Sequence, residues 1–242
     1  MGQSWQVINL DKGQTLGSWG KLGECLFSGL PGTLVHVLEQ ATEPGLDEAP
    51  CWIGDRIICL GNYHQDLPTG LLSPGEQAKL DEVRDDYSSL YYFARETYLE
   101  TELPYYNRRK RQDSQKFVLR NLSKNEYVRE EVIRCETLRG RWIQTVGLGE
   151  VLLSRISWST DNSCSMSYRG DIHRGVWAGD RFDITTVDQV ELGSGIQWKD
   201  VSREVEYEIT VIWFREYGDD WLQQKLTRSG DSAESSYSPR LS

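Results

Sequence analysis

Apolar positions at Trp5, Val7, Ile8 and Leu10 among polar ones predict a first strand from Ser4 to Leu10, and Asp11-Lys-Gly13 supplies the turn that ends it. Leu16 to Phe27 is rich in glycine and reads as a loop followed by a short helix near 19–27. It carries neither a Walker pattern nor a dinucleotide fingerprint. Pro31 with Leu34, Val35, Val37 and Leu38 predicts another short helix, and 42–50 has loop composition.

A longer helix is predicted to open at Ser73-Pro-Gly-Glu76, where Ser73 caps, Pro74 suits the first helical position and Glu76 closes a capping box. Leu80, Val83, Tyr87, Leu90 and Ala94 continue it at three- and four-residue steps as one apolar face. Lys116 to Leu122 reads as a strand that continues less regularly through Tyr127 and Val132. Val151–Trp158 and Ser165–Tyr168 pair as a hairpin around Thr160-Asp-Asn-Ser163. Residues 200–217 fit both periods, and Asp200 as a cap together with the length of the run favours helix.

One pattern occurs twice. Trp52-Ile-Gly-Asp-Arg-Ile57 recurs as Trp177-Ala-Gly-Asp-Arg-Phe182, each followed by apolar residues. Read as extended strands, the two segments put Trp and Arg on one face, where they could stack across the glycine. Two interpretations stay open: equivalent strands whose Gly marks a bulge and whose Asp-Arg pair bonds at a sheet edge, or two walls of one pocket.

Composition narrows the class. The 242 residues are 38% hydrophobic and 26% charged, as in a globular protein able to bury a full core. The expectation is one α+β domain over 1–228, a mostly antiparallel sheet with helices on one side, and a disordered tail over 229–242. A net charge of -10 argues against general nucleic-acid binding. The basic run Arg108-Arg-Lys-Arg111 is a solvated loop or, in the alternative, a nuclear import signal. No apolar run is long enough to cross a membrane, the start does not read as a secretory signal, and Gln6 breaks a myristoylation pattern at Gly2. Five cysteines at 25, 51, 59, 135 and 164 lack disulfide or zinc spacing, which points to reduced thiols in a cytoplasmic protein.

Several blocks, Gly2-Gln-Ser-Trp with Ile8-Asn-Leu-Asp-Lys12, Trp52-Ile-Gly-Asp-Arg-Ile-Ile-Cys59, Val118-Leu-Arg-Asn-Leu with Glu126-Tyr-Val-Arg129, and Gly170–Ile184, are similar to an uncharacterised family of intracellular fungal proteins. The resemblance spans nearly the whole chain and so implies one domain and an intracellular setting. It carries no activity and no catalytic residue.

Candidate chemistry centres on 168–183. Asp171 and His173 share a strand face, so the carboxylate could orient the imidazole as a general base. Arg174, Asp180, Arg181 and Asp183, with Trp177 and the first repeat's Trp52, Asp55 and Arg56, make up the candidate ligand-binding set. A metal site would need His36, His64 and His173 together with no supporting spacing, so neither metal nor cofactor is expected. Cys51 follows Pro50 without a helix start to lower its pKa and reads as a packed thiol. Nine Trp and twelve Tyr suit a binding surface. Binding of a small anionic molecule, a glycan or a protein partner is therefore favoured over a cofactor-independent hydrolase or transferase built on 171–183.

Overall fold

The computed structural model describes residues 3–26, 28–39, 51–101, 115–133, 135–139, 142–160, 175–191 and 195–217. The predicted loop at 42–50, the basic run at 108–111, the predicted strand at 165–168 and the tail from 229 lie outside them, as do Asp171, His173 and Arg174.

The chain opens with the hairpin β1 (Trp5–Asn9) and β2 (Gln14–Trp19), then helices α1 (Leu22–Leu26) and α2 (Leu30–Leu38), and returns as β3 (Ile57–Gly61) antiparallel to β1. Helices α3 (Pro74–Glu82) and α4 (Leu90–Thr97) and the two-residue β4 (Leu99–Glu100) follow. The second part starts again with a hairpin, β5 (Phe117–Asn121) and β6 (Glu126–Arg129), then α5 (Glu130–Ile133), β7 (Cys135–Arg139) and β8 (Trp142–Val146). Next come α6 (Leu148–Ile156), β9 (Ser157–Trp158), β10 (Phe182–Thr186) antiparallel to β5, α7 (Val187–Glu191), β11 (Lys199–Asp200) and α8 (Ser202–Tyr217). The fold is α+β. Its longer strand pairs are antiparallel, but β4, β9 and β11 each join in parallel through two residues, so both larger sheets are mixed.

All residues of β1 and β3 are buried, because the five-stranded sheet is covered on both faces. Val7, Ile57 and Cys59 face the main core with α1, α2 and α6; Ile8, Ile58 and Leu60 face a second cluster with Leu90, Tyr91 and Ala94 of α4. The helices are thus not confined to one side, and the unbroken Ile57-Ile-Cys-Leu60 run reflects that double cover.

The two parts are copies of one plan. Hairpin turns Asn9-Leu-Asp-Lys-Gly13 and Asn121-Leu-Ser-Lys-Asn125 match, and both end at positive φ, 60° at Gly13 and 53° at Asn125. Pairing of β1 with β3 (Asn9 opposite Ile57) has the register of β5 with β10 (Asn121 opposite Phe182). Contacts between the copies are reciprocal: Gly54 N–H donates to Phe182 O at 2.9 Å and Gly179 N–H to Ile57 O at 2.8 Å. Glu39, after α2, bridges in parallel to Ile184, as Ser157, after α6, pairs with Cys59. Such reciprocity is that of a local twofold axis. Helices α2 and α6 cross beside it, and a Cβ at Gly149 would run into the carbonyl of Pro31, the matching residue of α2. Glycine there lets the helices approach.

Two expected elements differ, and one ambiguous element is decided. The helix opening at Ser73 has its capping box but ends at Glu82, and α4 starts afresh at Leu90. Helix α3 buries no residue, so nothing carries it through Asp85, Asp86, Ser88 and Ser89, which are poor helix formers. Residues 148–156 form a helix rather than the strand of a hairpin. Every residue of α6 except Glu150 is buried, so no exposed face leaves a period to read. Helix α8 confirms the helical alternative over 200–217, with Asp200 Oδ1 accepting from the Ser202 N–H at 2.9 Å.

Candidate functional site

The repeated motif is a turn that delivers the chain into a strand. The Asp55 N–H donates to Trp52 O and the Asp180 N–H to Trp177 O, with Gly54 (φ 76°) and Gly179 (φ 81°) at the third position, where only glycine is unstrained. The expected strand therefore begins one residue after each Arg, and Trp and Arg do not stack as they would across a pleat. Both indoles are buried, and each is pinned at matching positions: Trp52 Nε1 donates to Gln14 Oε1 at 2.8 Å, Trp177 Nε1 to Glu126 Oε2 at 2.9 Å. The cation over the Trp177 ring is Arg155, 4.6 Å from the centroid.

Around these turns the candidate charges bind one another. Asn9 Nδ2 donates to Asp55 at 2.8 Å, and Asn121 Nδ2 to Asp180 at the same distance. Lys12 closes on Asp55 and Lys124 on Asp180. Arg56 spans Asp11, at 2.7 Å from Nε to Oδ1, and Glu76, at 2.6 Å from Nη2 to Oε1. Arg181 Nη1 donates at 2.6 Å to Asp11 Oδ2 and at 2.6 Å to Gly54 O. Asp183 receives Arg120 through both oxygens. Thus Asp55, Arg56, Asp180 and Arg181 are brought together at the twofold axis, Trp52 and Trp177 lie buried behind them, and Asp183 sits on the neighbouring strand β10 with Arg120 of β5.

These pairs set the local ionisation. The hydrogen bond from Arg56 is the main reason that Glu76 is lowered to about 2. Burial raises Asp11, but hydrogen bonds from Arg56 and Arg181 outweigh it and the net shift is down.

A different cluster is concave and uncommitted. Between the segment 64–72 and the α3–α4 connection lies a cleft of about 340 Å³, lined among others by His64, Asp66, Asp81, Arg84, Tyr87 and Ser89. Its outer wall is fixed: the Gln65 N–H donates to Thr160 Oγ1 at 2.9 Å, Trp158 Nε1 to Asp66 O at 3.0 Å, and Arg56 Nη1 to Leu71 O at 2.9 Å. His64 Nδ1 lies 2.8 Å from Gly61 O, a carbonyl that can only accept, so Nδ1 carries the proton and Nε2 of the neutral ring is an acceptor. Burial lowers the pKa of this imidazole. The Ser89 Oγ is buried with no hydrogen-bond partner. It caps nothing on α4, which it precedes.

The sequence does not single out this cleft; in it His64 is only one member of an unsupported histidine trio. The signal available is weak: a histidine in a polar stretch ahead of Pro68. Among the described residues no group of three or more His, Cys, Asp or Glu side chains could hold a metal, and no helix is long and apolar enough to cross a membrane. Comparison of the chain with protein-family models, curated proteins and solved structures finds no match.

Proposed function

We propose that this protein is an intracellular binding protein for a small polar ligand, and that the ligand occupies the cleft between residues 64–72 and the α3–α4 connection. The observation that carries the reading is the polar lining of the cleft: His64, whose Nδ1 is held by the Gly61 carbonyl and whose Nε2 is left as an acceptor, stands there with Ser89, whose hydroxyl makes no hydrogen bond in the folded chain. The Asp-Arg turns support the same choice from the other side. Asp55, Arg56, Asp180, Arg181 and Asp183 are spent on one another and on the axis between the copies, which suits architecture better than turnover. Free thiols at Cys25, Cys51 and Cys59 fit a reducing compartment.

The test is a thermal-shift screen of metabolite-sized polar compounds on wild type, Ser88→Trp and His173→Ala. Ser88 is exposed on the cleft wall, so a Trp there fills the space without entering the core. A compound at about 100 times its Kd stabilises by about 2.7 kcal/mol. The expected result is stabilisation of wild type and His173→Ala but not of Ser88→Trp. The reverse pattern returns the site to 171–183 and sinks the cleft.

A further inference from the structure

Resting on that reading, we infer that the cleft takes a neutral polyhydroxylated molecule, of the saccharide or cyclitol class, with one ligand hydroxyl donating to His64 Nε2 and another bonding Ser89 Oγ. The first argument is charge. Asp66 and Asp81 stand against Arg84 in the lining. With carboxylates and a guanidinium exposed in the same lining, the charge is mixed, and no field of a single sign selects an ionic ligand. A neutral ligand needs no such field.

The second argument is the kind of hydrogen bond on offer. His64 Nε2 only accepts, because Nδ1 is held as a donor by the Gly61 carbonyl. Ser89 Oγ both donates and accepts and has no partner in the folded chain; a turn of this short side chain about χ1 is what would bring the hydroxyl to a ligand. Asp81 Oδ1 already receives Gln77 Nε2 at 3.0 Å, which fixes the carboxylate as an acceptor. A set of fixed acceptors beside a two-way hydroxyl matches groups that donate and accept from the same atom, as adjacent ligand hydroxyls do. The third argument is the rest of the lining. Leu67, Leu72 and Leu80 with the Tyr87 ring give the C–H faces of such a molecule an apolar surface.

The experiment is ligand-observed NMR and calorimetric titration of the full chain with glucose, mannose, trehalose and myo-inositol, beside glucose 6-phosphate and glucosamine as charged counterparts. At least one neutral compound is expected to bind, at least tenfold more tightly than its charged counterpart. That binding should weaken tenfold or more in Ser89→Ala and in His64→Phe, both checked for native circular dichroism. It should also weaken in acid, once the imidazole is protonated and Nε2 stops accepting, in a cleft whose other charged and titratable lining groups are Asp66, Asp81, Arg84 and Tyr87. Should glucose 6-phosphate or glucosamine bind better, and lose affinity in Ser89→Ala, the cleft stands and the ligand class is wrong. Should no neutral compound bind, or should binding ignore both substitutions, the inference falls; binding that ignores both takes the cleft with it.

Discussion

Arg56 and Arg181 face each other across an antiparallel bridge and converge on the two oxygens of one carboxylate, that of Asp11. The bridge sits on the axis relating the two copies, so two like charges are forced together by the symmetry of the backbone. A single aspartate breaks that symmetry: in the second copy its place is taken by Ser123, whose Oγ accepts the Arg181 N–H at 3.0 Å.

Removing that aspartate should therefore expose a repulsion the fold otherwise hides. Asp11→Ala is expected to cost about 2 kcal/mol, since it deletes charge-assisted bonds to two partly buried guanidinium groups. Arg181→Ala alone should cost less, because that side chain is 45% exposed. The informative quantity is the double mutant. If the repulsion is real, Arg181→Ala gains stability in an Asp11→Ala background, and urea denaturation of the four proteins measures the difference. A loss in that background would show that the two arginines do not repel measurably.

The same cluster predicts how the protein loses stability in acid. Glu76 is lowered to about 2 against an ordinary value of 4.5, and Asp11 is held below 3.8. Depressed carboxylates contribute fully above their unfolded values and lose the contribution as pH falls through the folded ones. The loss thus belongs between about pH 4.5 and 2. Screening of the Glu76 side chain, 32% exposed, limits its share to about 1 kcal/mol. Arg56→Gln should flatten this part of the stability profile, leaving the remaining slope to other carboxylates. An unchanged slope between pH 4.5 and 2 would remove Arg56 as the cause.

The two turn glycines should not be equally replaceable. Gly54 and Gly179 have nearly the same φ, 76° and 81°, so alanine strains the backbone at both by about 1–2 kcal/mol. A Cβ at Gly54 meets open space, whereas one at Gly179 would overlap Leu71 Cδ1. Gly179→Ala should cost the strain plus the repacking of Leu71, on the order of 1 kcal/mol more than Gly54→Ala. Equal melting losses would mean that Leu71 moves aside freely.

Those turns also mark how far the sequence is legible. The repeated Trp-x-Gly-Asp-Arg is plain in it, and so, once sought, is Asn-Leu-x-Lys at 9–12 and 121–124. The second repeat is easily missed because it is short and its third position, Asp11 or Ser123, varies with its role at the axis. Strand or turn is undecidable for the first repeat, since a glycine at positive φ and a glycine in a pleat look alike in sequence. Helix α6 is hidden because all but Glu150 of it is buried, and α3 is overextended because apolar spacing persists past its end. The cleft is illegible for a different reason: it is made by residues 64–72 and 77–90 meeting in space, and neither segment carries a motif.

Thiol reactivity should separate the cysteines of the described residues. Burial pushes Cys25 up to about 12, and Cys59 well above its ordinary value, so neither forms thiolate at neutral pH. Cys51 is exposed. Alkylation at pH 8 followed by peptide mapping should modify Cys51 within minutes and leave Cys25 and Cys59 intact until denaturant is added. Labelling of Cys59 in the native protein would place an opening of the sheet near β3 within easy thermal reach.

The last prediction concerns a charge that one copy has and the other lacks. Arg155 ends α6 with its side chain 3% exposed, stacked on Trp177 and bonded to Glu208 at 2.9 Å and Glu204 at 2.6 Å on α8. At the matching place of α2 stands Val37, whose carbonyl accepts the Trp52 N–H as that of Arg155 accepts the Trp177 N–H. The turn itself therefore needs no cation; the arginine serves to fasten α8 over the second copy. Arg155→Leu should cost about 3 kcal/mol, much of it from leaving the carboxylate of Glu208, 9% exposed, without its guanidinium. Replacing both, Arg155→Leu with Glu208→Leu, should restore at least half of that loss, because an apolar pair of similar volume needs no ionic partner. Urea denaturation with equal m-values would license the comparison. If instead Arg155→Leu costs as much in a Glu208→Leu background as it does beside the native Glu208, the arginine's contribution is its stacking on Trp177, and α8 is held by its apolar contacts alone.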